Sequence, residues 1–463
     1  MRTRRQAVPL PPPDRMPVPS LRVLVAVLPL ASAIPLQAQH DDRIWGRVLT
    51  GDGATHEGFI RLRGDWDAAS WTDLLRVSKA MPDRYYLDWR EATAAGRPHL
   101  RTVELEGYRI TWEERHPDWP GTAPTGIRFG HLAEMLPDED GKVRVATRSR
   151  REPGLAEGEG VPGGNGGKMS FASEWGAAVV VDDGDSRVEV DGRDIVRIEF
   201  EPAPAGPAPA SPRLYGTAED RNNRSFTGFV TWRGDILESD VLDGIFEDVP
   251  GLFPGSDDSY GAIRFSHIRS VEPTPCGAKL TSRSGKSVKL CTEPLAPDPP
   301  PVLISDPALG AVDVAWDALR TLRLEPSSGA PGYDAFDGGH PLSGTVVTAE
   351  GEEIEGRIRW DADEERSWEP LQGRSHDVAF SIEFGKIARI ERDDRRGAHV
   401  TLLDGRRLHL TRDNDVDEGN KGIFVFPFAA DGADGPAGAW RYVAWKNFRE
   451  ARFRHGDAGR AGS

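Results

Sequence analysis

One glycine-framed pattern occurs three times in the chain and limits what it can fold into. In each copy a second glycine follows the first after 12 residues, and apolar residues alternate with polar ones on both sides of a central turn. The copies are "GRVLTGDGATHEGFIRL" from Gly46, "GTAEDRNNRSFTGFVTW" from Gly216 and "GTVVTAEGEEIEGRIRW" from Gly344. Alternation with period two places the apolar side chains on one face of a strand. The pattern therefore predicts one hairpin built three times.

The turn and the downstream segments repeat as well. Gly53, Asn223 and Gly351 occupy the same turn position, and these residue types tolerate the positive φ of a tight hairpin. Downstream, three segments share one apolar spacing, which predicts a strand, a single helical turn and a further short strand. They are "IRFGHLAEM" (127–135), "IRFSHIRSV" (263–271) and "IEFGKIARI" (382–390).

Repetition at this level predicts an all-β protein of three tandem homologous modules. Two segments rich in Pro, Gly or Ser separate the modules, as expected of linkers. The predicted divisions are a signal peptide at 1–38, module one at 39–201 with an insertion at 76–126, a Pro-rich linker at 202–212, module two at 213–326, a second linker at 327–338, module three at 339–455 and a disordered tail at 456–463. Inside the insertion, "VELEGYRITW" (103–112) predicts a hairpin added to the sheet of module one.

Module three resembles the Sm family. "DGEEIEGRIRWDAD" is similar to the first Sm motif, and "FGKIARI" is similar to the second. The matching residues are Gly351, Gly356, Ile358, Asp361 or Asp363, Gly385, Ile387 and Ile390. The resemblance implies small SH3- or Sm-like barrel or half-barrel units. It does not imply RNA binding, because the RNA-reading Asn is absent and Phe384 stands in place of the Arg. The three-module pattern also resembles exported β-repeat proteins of GC-rich bacteria, which implies no activity.

The amino terminus and the net charge narrow the functional classes. Several Arg precede a short apolar run that ends near "LQAQ", as in a secretory signal peptide with cleavage after Ala38. The alternative is a signal retained as an anchor. Removing residues 1–38, with five Arg and one Asp, takes the formal net charge from −16 to −20. Such an acidic chain repels phosphate backbones, so we expect no nucleic-acid partner.

Two groups of residues are candidates for chemistry. Asp413, Asp415 and Asp417 have the alternate spacing of Ca²⁺ ligands, although Glu418 and Phe424 depart from the EF-hand pattern. The alternative is an acidic loop that caps an edge strand. Cys276 and Cys291 are the two cysteines of the chain, and in an exported protein they predict one disulfide.

Other candidates point to structure. His131, His267 and Lys386 share one repeat position, which predicts a basic surface residue, since a metal ligand would not be exchanged for Lys. Four tryptophans occupy the same alternating positions as the core aliphatic residues, which predicts that these tryptophans are buried. They are Trp232, Trp316, Trp360 and Trp445.

These patterns predict a non-catalytic scaffold or binding protein of the bacterial cell envelope, periplasmic or secreted, whose partner is an envelope protein or a glycan. The alternative is an envelope-polymer hydrolase with a carboxylate site in the module-specific segments 76–126 or 413–422. Apart from the calcium candidates, the sequence indicates no catalytic residue and no cofactor.

Overall fold

Short antiparallel strands joined by tight turns make up most of the protein. The computed structural model describes residues 42–64, 67–93, 99–105, 108–114, 116, 119–120, 122–137, 143–150, 169–171, 178–247, 259–291, 300–327, 329, 331–393, 396–428 and 440–455. Within these ranges the chain is predominantly β, as the sequence predicts. None of the helices found there is long and apolar enough to cross a membrane. The predicted signal peptide and tail lie outside the described residues, as does the cleavage position.

The first part of the chain forms a ten-stranded sheet and a separate two-stranded sheet. Its elements are β1 (Trp45–Thr50), β2 (Thr55–Arg63), β3 (Leu74–Ala80), α1 (Asp83–Ala92), β4 (His99–Leu105), β5 (Tyr108–Glu114), β6 (Thr122–Arg128), β7 (Leu132–Pro137), β8 (Val143–Thr147), β9 (Met169–Phe171), β10 (Ala178–Asp182), β11 (Arg187–Val190) and β12 (Ile195–Phe200). The strand order of the larger sheet is β11-β10-β2-β1-β12-β7-β8-β9-β3-β6.

The remainder forms a twenty-stranded sheet that combines hairpins of consecutive strands with pairings between strands distant in the chain. Its strands are β13 (Tyr215–Asp220), β14 (Ser225–Thr231), β15 (Val241–Glu247), β16 (Ser259–Arg264), β17 (Ile268–Thr274), β18 (Gly277–Ser282), β19 (Ser287–Cys291), β20 (Val302–Asp306), β21 (Gly310–Val314), β22 (Leu319–Leu324), β23 (Ser343–Thr348), β24 (Glu353–Arg359), β25 (Pro370–Ser375), β26 (Val378–Glu383), β27 (Ile387–Asp393), β28 (Gly397–Leu402), β29 (Arg407–Thr411), β30 (Ile423–Pro427), β31 (Arg441–Val443) and β32 (Phe448–Phe453). Additional pairings, such as β13 with β22 and β23 with β32, fold this sheet back on itself.

The three glycine-framed stretches are hairpins with the same register. The two glycines of each stretch face each other across the hairpin, in β1–β2, β13–β14 and β23–β24. The first strand of each hairpin also pairs with a later strand, β12, β22 or β32, and the register shifts near the end of each pairing. The predicted helical turns are present as 3₁₀ turns before β7, β17 and β27. The four tryptophans predicted to be buried are at most 8% exposed, which confirms that prediction.

The insertion of module one differs from the prediction. Its hairpin, β4–β5, does not join the ten-stranded sheet but forms a two-stranded sheet of its own. Helix α1 was not expected, and it precedes this hairpin in the chain. Tyr85, Tyr86 and Trp89 of α1 pack in one apolar cluster with Ala362 and Phe424 of the last third of the chain. The insertion is therefore used partly to attach the first sheet to the later one.

The apolar cores cross the boundaries between the predicted modules. One cluster of buried side chains runs from Leu214 to Ala451, and β21 pairs directly with β26. A second cluster fills the ten-stranded sheet and also contains Tyr333 and Phe336 from the predicted second linker. That linker is therefore packed against the first sheet rather than extended in solvent.

Candidate functional site: a buried acidic cluster

The loop after β24 has an unusual backbone and carries five acidic residues, which are Asp361, Asp363, Glu364, Glu365 and Glu369. Asp361 and Ala362 have φ values of 43° and 67°, a left-handed conformation that non-glycine residues seldom adopt. The Trp360 N–H donates to the carbonyl of Glu364 at 2.8 Å, which closes the loop. The Trp360 indole N–H also donates to the carbonyl of Asp415 at 2.8 Å. Two consecutive left-handed residues store strain, and such strain is concentrated at functional sites and tight turns.

Asp361 and Asp415 are held by donors from the neighbouring loop. The carboxylate of Asp361 accepts hydrogen bonds from the Lys421 backbone N–H and from the Asn414 side-chain amide. The Lys421 ammonium lies 3.5 Å from the same carboxylate. The Asp415 carboxylate accepts from the Gln372 backbone N–H at 2.6 Å. Both acids are at most 4% exposed.

Lys79 reaches this cluster from β3 of the first sheet. Its ammonium donates to the Glu369 carboxylate at 2.6 Å and to the Asp363 carbonyl at 2.8 Å, and it lies 3.2 Å from the Asp363 carboxylate. The cluster therefore joins the two module-specific segments that the sequence singled out, 76–126 through Lys79 and 413–422 through the loop of Asp415.

Burial dominates the electrostatics of the cluster. It raises the pKa of Asp361 to about 8. It also raises the pKa of Glu364 and of Asp415 well above their usual range, and neighbouring carboxylates add to both increases. For Lys79, burial opposes the charge, but Asp363 and the other acids raise its pKa well above the usual value. One carboxylate oxygen of Glu364 is buried without a hydrogen-bond partner. Burial therefore favours the protonated forms of Asp361, Glu364 and Asp415, whereas the acids around Lys79 favour its charged form.

The three calcium candidates have different hydrogen-bond partners. Asp415 points into the acidic cluster, whereas Asp417 accepts a hydrogen bond from the backbone N–H of Gly419 within its own turn. Asp413 accepts a long hydrogen bond, 3.4 Å, from the Asp415 backbone N–H. Calcium binding by these residues stays a prediction. Of the described residues, one group has three metal-ligating atoms within 4.8 Å of one another, and it consists of Asp393, His399 and His409.

The two cysteines lie beside each other at the open end of the β18–β19 hairpin. Cys291 faces Gly277 across the ladder, and Cys276 directly precedes that glycine. The two sulfur atoms are 2.01 Å apart, which is a disulfide distance. The bond closes a loop with a sequence separation of 15 residues around a hairpin that the backbone ladder also holds.

His131 lies in the interior, so the prediction of a basic surface residue is wrong at this position. It is 7% exposed, and its ring nitrogens lie 3.5 Å from Asp337 and 3.4 Å from Glu383. The physical reason is that the segment after β22 folds over the 3₁₀ turn and brings Asp337 with it. His267, at the same repeat position, is exposed, as predicted.

The chemistry available to the acidic cluster depends on access. A hydrolase that uses two carboxylates must bring both into contact with its substrate. Here Asp361, Asp363, Glu364 and Asp415 are at most 4% exposed, and Lys79 and Lys421 neutralise part of their charge. In this conformation the cluster fastens loops of the two larger sheets together and is closed to a polymer chain.

Comparison of the chain with protein-family models, with curated proteins and with solved structures found no significant match. Sequence reasoning identified Asp415 but missed Lys79 and Glu364. The one local signal for Glu364 was the acidic run that follows Trp360, in a loop where the corresponding hairpins have fewer acids.

Proposed function

We propose that the protein is a non-catalytic, exported binding or scaffold protein of the cell envelope, built from three homologous β modules of small SH3- or Sm-like units. The equal registers of the three glycine-framed hairpins, each paired with a third strand and accompanied by a 3₁₀ turn, support the modular part. The disulfide is compatible with export. Amino-terminal sequencing of the native protein should begin near Gln39.

The exposed apolar face of the β4–β5 hairpin is the observation that best supports a binding role. Val103, Tyr108, Ile110 and Trp112 lie on one face of it, and they are 40–75% exposed. The opposite face carries the exposed Leu100 at the open end and is otherwise polar, with a cross-strand hydrogen bond between two threonines and an ion pair between Arg109 and Glu104. An isolated two-stranded hairpin is marginally stable, so an apolar face on one needs a covering surface.

The composition of this face favours a protein as the partner. Tyr and Trp are enriched at protein interfaces, where their rings bury a large area while the polar ends keep hydrogen bonds. Val103 and Ile110 form a cross-strand pair at the centre of the face. A branched aliphatic centre matches an apolar protein surface better than the hydroxyl-rich surface of a glycan. The partner that we propose is therefore another envelope protein.

The test is site-specific photo-crosslinking in the intact host. A photoreactive residue at Ile110, on the apolar face, should give one discrete adduct with another envelope protein. The same residue at Thr111, which is exposed on the polar face of the same strand, should not. The pair V103E/I110K replaces the apolar centre by opposite charges that can still pair across the hairpin, and it should abolish the adduct. Equal crosslinking from both positions would refute the proposal, and an adduct of two copies of this chain would replace the proposed partner.

The alternative is an envelope-polymer hydrolase whose carboxylates would belong to the acidic cluster, to which both module-specific segments contribute. A panel of peptidoglycan, glycan and peptide substrates with the purified protein decides between the two functions. Our proposal expects no turnover. Turnover that is lost in Asp415→Asn would establish the hydrolase instead.

A further inference from the structure

The outer face of the β27–β28–β29 meander brings together three metal-ligating side chains. A nitrogen of His409 lies 2.9 Å from a carboxylate oxygen of Asp393, and the rings of His399 and His409 are 4.8 Å apart. One ligand atom from each of the three residues lies within 4.8 Å of the other two. Tetrahedral Zn²⁺ with metal–ligand bonds near 2 Å holds its ligand atoms roughly 3.3 Å apart. Small side-chain rotations therefore suffice to close this group on one ion.

The strand register explains the convergence. His399 and His409 are directly opposite each other in the β28–β29 ladder, and Asp393 pairs with Gly397, two residues before His399. Direct and diagonal neighbours on one sheet face are within reach of long side chains. Ala398, Val400 and Leu410 point the other way, into the core, so the pleat fixes the outward direction of both histidines.

The surroundings suit a cation. Glu391 faces His399 across the β27–β28 ladder and adds a second carboxylate nearby. Arg389 and Arg407 form ion pairs with Glu391. The Asp393 and His409 side chains are 20% and 41% exposed, so an ion can enter from solvent.

The corresponding meander β17–β18–β19 lacks these ligands. There Lys279 and Lys289 face each other in the register that His399 and His409 occupy, and Thr274 takes the place of Asp393. Two lysines are accommodated at this position of the same strand arrangement without loss of the ladder. The two-histidine, one-carboxylate set is thus absent from the equivalent face of the preceding hairpins, and the sheet does not need it in order to form.

We propose that Asp393, His399 and His409 bind one divalent transition-metal ion of the Zn²⁺ type on the outer face of this meander. Two imidazoles and a carboxylate are the ligand set that Zn²⁺ and neighbouring transition metals favour over Ca²⁺ and Mg²⁺, which prefer oxygen. Three protein ligands leave a position for water or for a donor atom of another molecule.

The experiment titrates the purified, metal-free protein with Zn²⁺ alone, by calorimetry and by competition with a chromophoric chelator. The wild type should bind one ion at this site, and Ca²⁺ should not compete. In Co²⁺-loaded protein, visible absorption bands should report nitrogen and oxygen ligands. Binding should weaken as the pH falls, because protons compete with the metal ion for the imidazole nitrogens.

The decisive variant is H399K/H409K, which copies the lysine pair of β18–β19 and should keep the wild-type circular dichroism spectrum. Loss of both imidazoles should weaken Zn²⁺ binding by more than the roughly 10–100-fold that follows loss of an outer-shell partner. Asp393→Asn should give an intermediate loss. Absence of saturable Zn²⁺ binding, or binding that is unchanged in H399K/H409K, would overturn the proposal.

Discussion

The buried carboxylate of Asp361 links protonation to stability. In the unfolded chain an Asp titrates near pH 4, whereas burial raises the pKa of Asp361 to about 8 in the folded protein. The folded state therefore binds this proton more tightly than the unfolded state does. The stability that comes from protonated Asp361 is fully present below about pH 4, and it is lost as the pH rises toward 8.

Replacing Asp361 by Asn should flatten the pH dependence of stability. The wild-type free energy of unfolding should fall from pH 5 to pH 7 by up to about 1.4 kcal/mol per pH unit more than that of Asp361→Asn, because Asn has no proton to lose. Urea unfolding at several pH values measures the difference. Asp417→Asn, in the same loop region, should keep the wild-type slope. Parallel curves for the wild type and Asp361→Asn would contradict the assignment.

Single residues were predictable from sequence only where a local pattern fixes their surroundings. Alternation predicted the burial of Ile358 and Trp360, since neighbours along a strand decide which face each side chain takes. No such pattern relates Lys79 to Asp363, because 284 residues separate them and their contact depends on how two sheets pack. His131 was misassigned for the same reason.

The glycines that frame the hairpins permit close approach of a third strand. A Cβ atom at Gly216 or Gly344 would lie 2.1 Å from a carbonyl oxygen of the strand paired on its other side. At Gly228 and Gly356 the corresponding distance is 2.2 Å. These distances are far below any real contact of a Cβ atom, so each hairpin needs glycine at both positions. Each of the two hairpin strands pairs on its outer side with a further strand, and the two glycines mark the points of closest approach. The spacing of 12 residues between the glycines follows from this arrangement.

Gly356→Ala should destabilise the protein by about 3 kcal/mol or more, because the new methyl group overlaps the carbonyl of Phe426. Chemical unfolding measures this loss. The matched control is Gly351→Asn in the turn of the same hairpin, where φ is +91° and the Cβ position is open. Asn223 occupies the equivalent turn with φ 61°, so this control should be nearly neutral. Similar losses in both variants would show that turn strain, rather than strand crowding, determines the glycine pattern.

At the scale of elements, the sequence predicted hairpins but not α1. Each hairpin carries its own turn residue and period-two alternation, which are local signals. Helix α1 is flanked by Pro82, which provides no side-chain cap, and its aromatic residues pack against Phe424, far along the chain. Asp83 in its first turn and Arg90 in its last are the signals by which it could have been recognised.

Buried ion pairs tie the three predicted modules to one another. Asp73, Asp240 and Glu369 each accept two backbone N–H groups in equivalent loops. Each also binds a cation from another part of the chain, and the pairs are Asp73 with Arg213, Asp240 with Arg61 and Glu369 with Lys79. Removing one member would leave its partner charged in the interior, a loss of about 3–5 kcal/mol.

Tyr333→Ala should destabilise the ten-stranded sheet more than the twenty-stranded one. Tyr333 fills the core beside Trp71 and donates a hydrogen bond to the Leu132 carbonyl at 2.7 Å. Loss of a buried aromatic side chain costs about 3–5 kcal/mol. Hydrogen exchange should therefore show reduced protection in β7 and β12, with β23 and β32 less affected.

Asp334→Ala is the control for this prediction. Its side chain is 84% exposed and lies next to Tyr333 in the chain, so protection should stay at the wild-type level. If β7 and β12 kept full protection in Tyr333→Ala, the predicted second linker would not be part of that core.

The module boundaries predicted from the sequence stay predictions. The contacts between the predicted modules explain why the sequence could not show how the modules pack together. Repeats and Pro-rich segments indicate where similar units begin. They do not indicate that β21 pairs with β26 or that residues of a linker enter another core, because both depend on surfaces distant in sequence. A fragment comprising 339–455 would lose the strand that covers β26.

The position of Tyr333 has a consequence for the order in which the protein is made. Its hydroxyl also donates to the carbonyl of Phe200, 133 residues earlier in the chain. The ribosome synthesises all ten strands of the first sheet long before it reaches Tyr333. During that interval the sheet has an apolar opening beside Trp71, suited to a chaperone or to a misplaced segment. Nascent chains that end before Tyr333 should therefore be markedly more sensitive to protease than chains only slightly longer.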